Sequence, residues 1–248
     1  VVSNHPDIAT GDIIGSNIAN IILVMGATAL LCPIRKITQN QVNQAAINIV
    51  IALGLIMMSL FMFQFNPVFG VVALILLTLI MVYQVKIGSL NFSDVEEKGE
   101  YSMFISGVLI VIGIMLLVYG SKFFVNGAVN IATDYGIPES VIGVSLVAFG
   151  TSLPELAVGV LSAVRKRVDF ALGNVLGSNI YNVLGVLGVS SFFGRFEFPS
   201  HIASFDLYVM AGAILFIFLF MFYFKKLTRL FGIISLIAYI TYIAFLYV

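Results

Sequence analysis

Glu155 is the residue from which any chemistry must start. It stands inside VIGVSLVAFGTSLPELAVGVLSA, residues 141–163, where every other side chain is uncharged. A charge at the centre of a bilayer costs about 2.5–3.5 kcal/mol on insertion scales, so a carboxylate there implies a task and a partner. No Lys or Arg lies at comparable depth elsewhere in the chain, which favours a mobile cation over a structural ion pair. The residues before it add oxygen. Pro154 has no N–H and its ring clashes with the carbonyl four residues earlier, so a break or kink is expected across Gly150–Pro154. Carbonyls near Ala148 and Thr151 would then lose their helical partners and become ligands, and Thr151 and Ser152 would add hydroxyls. Hard cations such as Ca²⁺ take about six to eight oxygens, carboxylates and carbonyls included.

A second set of polar residues faces this one. Residues 7–31 read DIATGDIIGSNIANIILVMGATALL and residues 169–193 read DFALGNVLGSNIYNVLGVLGVSSFF, with ten of 25 positions identical. Apolar sequence matches itself by chance at Leu, Ile and Val, but not at Gly-Ser-Asn-Ile-x-Asn in register. Ser16 and Asn20 are four apart and share a helical face, as do Ser178 and Asn182. Asn carbonyls coordinate a cation without adding charge. Hydrogen bonding between packed helices remains the alternative for these four. Asn17 and Asn179 face differently and read as structural. Asp12, whose counterpart is Asn174, reads as a cap at the start of its helix. His5 and His201 read as surface residues of outer loops, and the single cysteine, Cys32, permits no internal disulfide.

Helices long enough to cross a bilayer must position these groups. The chain of 248 residues is 60% hydrophobic and 10% charged, against about 25% charged in soluble domains. That excludes the soluble and nucleic-acid-binding classes. Eight apolar runs qualify as spans: 13–31, 45–63, 67–85, 103–125, 141–163, 171–193, 203–224 and 227–248. Lipid demands that the backbone satisfy itself, so the spans are helices, and the alternating segments of a barrel are missing. Ten of the twelve Lys and Arg fall on one side of this arrangement; only Lys122 and Arg195 fall on the other. The positive-inside rule makes the first side cytoplasmic. The acidic stretch 87–102, with Asp94, Glu96, Glu97 and Glu100, lacks the pattern of a calcium-binding loop and reads as a cytoplasmic linker.

The two copies begin 162 residues apart, and the second lies five spans after the first, an odd offset. The second therefore runs through the membrane in the opposite direction, the architecture of many secondary transporters, whose ions bind where the repeats meet. Residues 1–88 read as the later part of the first repeat, with three spans, 89–102 as the linker and 103–248 as the second repeat, with five. Two spans precede the second copy and none precedes the first. The fold class expected is thus an all-α, inverted-repeat membrane transporter with eight spans of ten, the other two and a second Gly-Thr-Ser-type motif lying upstream of Val1.

VSLVAFGTSLPEL followed by ALGNVLGSNIYNVLGVLG resembles the second α-repeat of the calcium/cation antiporter superfamily, most closely its prokaryotic sodium/calcium exchanger branch. GDIIGSNIANIILVMG resembles the later half of the first α-repeat. The resemblance implies a transporter, not an enzyme, that exchanges Ca²⁺ for Na⁺ by alternating access in a bacterial or archaeal plasma membrane. It implies no cofactor and no nucleic-acid partner, only the transported ions and the lipid bilayer, with a monomer as the working unit. Glu155 matches the calcium-coordinating glutamate of that repeat. Thr151 and Ala148 match positions whose carbonyls bind ions, with Ser152 beside them. Ser178 and Ser16 match sodium-site serines, and Asn20 and Asn182 the two central polar positions. Potassium-dependent relatives carry Asp at the position of Asn182, so Asn there argues against potassium dependence. Proton-coupled exchangers carry a His-containing motif and fit less well. A cation channel, or an intramembrane enzyme using Glu155 as base, would be the other classes, and no second catalytic group at membrane depth supports the latter.

Overall fold

The computed structural model describes residues 6–86, 102–165 and 167–247. The acidic linker with Lys98, together with His5 and Lys166, lies outside them. Seven spans are single helices: α1 (Ile8–Leu31), α2 (Gln39–Leu60), α3 (Pro67–Lys86), α4 (Met103–Asp134), α7 (Phe170–Ser190), α8 (Ile202–Phe224) and α9 (Arg229–Leu246). The eighth is a bent pair, α5 (Glu139–Thr151) and α6 (Leu153–Val164). All eight expected spans are therefore present.

Local chemistry sets the helix ends. Thr38 and Gln41 form a reciprocal capping box ahead of α2, and Asn66 accepts from the backbone N–H groups of Val68 and Phe69 at the start of α3. Ser102 and Thr228 cap α4 and α9. Helix α4 does not stop near Val125 as hydropathy suggested. It continues through Asp134, because nothing in GAVNIATD breaks a helix, and ends where Gly136 takes φ +70° ahead of Pro138. Its 32 residues span about 48 Å at 1.5 Å per residue. Lys122 accordingly lies within the helix and not in a loop.

The duplicated segments form the centre. In α1 78% of the spanning window is buried and in α7 56%, whereas α4 has none. Helix α1 crosses α5 at backbone distance: a Cβ on Gly15 would press on the Val144 carbonyl oxygen and lie 2.7 Å from Ala148 Cβ, and one on Gly143 would lie 2.8 Å from the Ile8 carbonyl oxygen. Small residues at such crossings are what let membrane helices pack closely. Both repeat helices widen into a π-helical turn just after their GSNI motifs, at Ala19–Val24 and Tyr181–Leu187.

Two isolated antiparallel bridges tie the loops, and among the described residues there are no strands. Ile34 and Leu227 exchange N–H···O bonds of 2.9 and 2.8 Å; Phe65 and Phe196 exchange bonds of 2.8 and 3.3 Å. Phe196 follows Ile34, and Leu227 follows Phe65, by the same 162 residues that separate the sequence repeats. Each bridge is therefore the counterpart of the other under the repeat. They sit beyond opposite ends of α2, so the counterparts occupy opposite faces, as an inverted repeat requires.

Candidate functional site

The α5–α6 span bends by 41° at Ser152, within the Gly150–Pro154 break expected from the sequence. Proline occupies the first turn of α6, where a missing N–H costs least. Directly beyond it stands Glu155. Here the chain opens a cavity of about 60 Å³, room for a few water-sized species. Asp12, Ser16 and Asn20 of α1, Thr151, Ser152 and Glu155 of α5–α6 and Asn182 of α7 line it, with Ile13 and Val186 as its apolar wall.

Three of these residues point buried oxygens that have no hydrogen-bond partner: Glu155 Oε2, Asn20 Oδ1 and Ser152 Oγ. Orphaned buried oxygens are rare because each forfeits its hydration. The rest of the cluster is hydrogen-bonded within itself, mostly between the repeats. Ser178 Oγ donates to Glu155 Oε1 at 3.3 Å. Asn20 Nδ2 donates to Asn179 Oδ1 at 3.0 Å, and Asn182 Nδ2 donates to Asn17 Oδ1 at 3.3 Å and to Ser16 Oγ at 3.0 Å. The Asn20–Asn179 and Asn182–Asn17 bonds are one contact repeated by the internal two-fold. Asn17 and Asn179, each 1% exposed, thus have the structural role expected of them.

Six of the eight residues singled out from sequence meet at the cavity wall: Glu155, Thr151, Ser152, Asn182, Ser16 and Asn20. Ser178 reaches it only through Glu155. Ala148 does not reach it. Its side chain is buried against Gly15, and its carbonyl accepts from Ser152 N–H at 3.1 Å and Thr151 Oγ1 at 3.2 Å. The freed Ala148 carbonyl expected from sequence is not seen, because Pro154 withdraws the donor due to Gly150 and leaves that of Ala148 in place.

Two further carboxylates lie within spans. Asp12 is not a helix cap, since its helix already includes Pro6 and carries Asp12 in its interior. Asp12 Oδ1 accepts from Thr151 Oγ1 at 2.6 Å, on the cavity wall. The one signal for it in the sequence is the repeat itself, which pairs an acid here with neutral Asn174. Asp206 is 0% exposed and lies apart from the cavity; Tyr242 donates to its Oδ1 at 2.8 Å, and its Oδ2 is 2.8 Å from His201 Nδ1. His201 is therefore not an ordinary loop residue. It stands at the head of α8 as a partner of a buried acid that ties α8 to α9.

The lining carries no Lys, Arg or His, and the described residues contain no group of three or more His, Cys, Asp or Glu able to hold a metal. Isolated carboxylates among neutral oxygens suit a hard, exchangeable cation more than a tightly held transition metal.

The model of the family described as sodium/calcium exchanger protein matches residues 1–86 and 105–248. The chain belongs to the sodium/calcium exchanger family. It is 36% identical over 241 residues to the uncharacterised membrane protein MJ0091 of Methanocaldococcus jannaschii, covering 96% of this chain and 76% of that protein. It is 35% identical over 246 residues to the putative antiporter CaxA of Alkalimonas amylolytica, covering 95% of this chain and 77% of that one. A solved structure of the sodium–calcium exchanger NCX_Mj, soaked with Na⁺ and Sr²⁺, superposes with a TM-score of 0.76 at 36% identity, over 96% of this chain and 77% of that one. The protein is thus a multi-pass membrane transporter of cations and not an enzyme, as its sequence led us to expect.

Proposed function

We propose that the protein exchanges Ca²⁺ for Na⁺ across its membrane by alternating access, with both ions competing for the cavity around Glu155. One observation carries the reading: Asn20 of α1, Ser152 at the α5–α6 break and Glu155 of α6, each with an unpartnered buried oxygen, line a cavity whose lining holds no cationic side chain. Glu155 supplies charge, Thr151, Ser152, Ser16 and Ser178 supply hydroxyls, and Asn20 and Asn182 supply amide groups. Ala148 enters as a positioning residue, its packing on Gly15 holding the broken helix against α1. An ion compensates the carboxylates. Without one, the carboxylates would repel each other in a low dielectric as the site is enclosed, and this disfavours switching while empty. The working unit proposed is a monomer.

The test is ⁴⁵Ca²⁺ uptake by the full-length chain in proteoliposomes under imposed gradients. Uptake should follow an outward sodium gradient, and Glu155→Gln, which keeps the shape and removes the charge, should abolish it. Uptake that follows a proton gradient and ignores sodium would replace Na⁺ as the coupling ion. Rapid uptake with no counter-ion would make the protein a channel.

A further inference from the structure

We propose that Asp12 is a cation ligand of this cavity and the residue that sets its preference for a divalent over a monovalent ion; the proposal rests on the exchanger reading above. Asp12 faces the same space as Glu155, from the opposite helix, and is joined to the α5 break by the 2.6 Å bond from Thr151. Asn20 and Ser152, 1% and 2% exposed, line the same cavity, and their Oδ1 and Oγ have no partner. No cationic side chain in the lining offsets these two carboxylates, so both charges are available to a divalent ion.

A structural role does not account for the acid. A cap is excluded because the chain is already helical from Pro6 onward, ahead of Asp12. Accepting the Thr151 hydroxyl needs only a carbonyl oxygen, which asparagine also has. The other repeat indeed carries neutral Asn174 at the equivalent position, so the duplicated scaffold is built without a charge there. The negative charge of Asp12 is what the fold does not require and what a cation would use.

A fixed charge acts on Ca²⁺ with twice the energy it exerts on Na⁺ at the same point, because Coulomb energy scales with the product of the charges. Removing it therefore weakens Ca²⁺ binding by the square of the factor for Na⁺. Asp12→Asn in the full-length protein isolates this effect, since the amide oxygen still accepts from Thr151. In proteoliposomes and in equilibrium ⁴⁵Ca²⁺ binding competed with Na⁺, a loss of about threefold for Na⁺ should accompany a loss of about tenfold for Ca²⁺. Asp12→Glu, which keeps the charge, should retain the preference for Ca²⁺. Equal losses for the two ions, or none, in a Glu155-dependent transporter would overturn the role of Asp12 alone. So would an Asp12→Glu variant as impaired as Asp12→Asn. Wild-type exchange by Glu155→Gln would overturn the cavity itself and the exchanger reading with it.

Discussion

Asn182 spends its amide hydrogens on the opposite repeat while its side chain lines the cavity. Replacing it with Asp removes both donated bonds and sets a carboxylate against Asn17 Oδ1, an acceptor. A bound cation would offset that repulsion. Asn182→Asp should therefore melt at a lower temperature than wild type without ions and recover much of the loss in millimolar Ca²⁺. A loss unaffected by Ca²⁺ would show that Asn182 only packs. At this scale most of the site was legible in the sequence. Glu155 stood alone in an apolar run, and the duplicated motif marked Ser16, Asn20, Ser178 and Asn182. Asp12 escaped because hydropathy opened its span at Ile13, whereas the helix already includes the residues from Pro6 to Asp12. The occupied carbonyl of Ala148 escaped for a narrower reason: a proline withdraws the donor from one carbonyl only.

Among the elements, the crossing of α1 over α5 holds the cavity at its width. It depends on Gly15, where an added methyl meets the Val144 backbone and Ala148 Cβ, and backbone cannot rotate away. Overpacking of this kind costs about 1–3 kcal/mol. Gly15→Ala should lower the melting midpoint of the purified full-length protein and weaken Ca²⁺ binding, since Ser16 and Asn20 move with α1. An unchanged midpoint and affinity would mean that the two helices are not in backbone contact. The spans were legible because each is an apolar run of near-membrane length. Their ends were less so, since capping residues fix them and hydropathy does not report capping: α4 overran its apolar core, and His201 proved to be the head of a helix. Asp206 was hidden for a related reason. Its partners, His201 and Tyr242, lie five and 36 residues away, and only the packing of α8 on α9 brings Tyr242 to it.

At the scale of the molecule, the odd offset of five spans from one copy to the next was enough to foretell an inverted repeat. The two backbone bridges were not foreseeable, because loops carry no periodicity that says which other loop they will meet. Ile34 with Leu227 and Phe65 with Phe196 stitch the chain beyond both ends of α2, each pair standing where the other would stand after half a turn. A body whose two faces are copies has no built-in arrow. Nothing in such a frame acts as a ratchet or a valve, so the gradients alone choose the sense of travel. Reversing the sodium gradient across proteoliposomes of the full-length chain, inserted in one known orientation, should reverse Ca²⁺ flux at a comparable initial rate. Strongly one-way flux would have to arise where the copies differ inside the cavity, at Asp12 against Asn174, and should then disappear in Asp12→Asn. The protein would be a meter that reads the same in both directions, with the carboxylate of Asp12 against neutral Asn174 as a source of handedness.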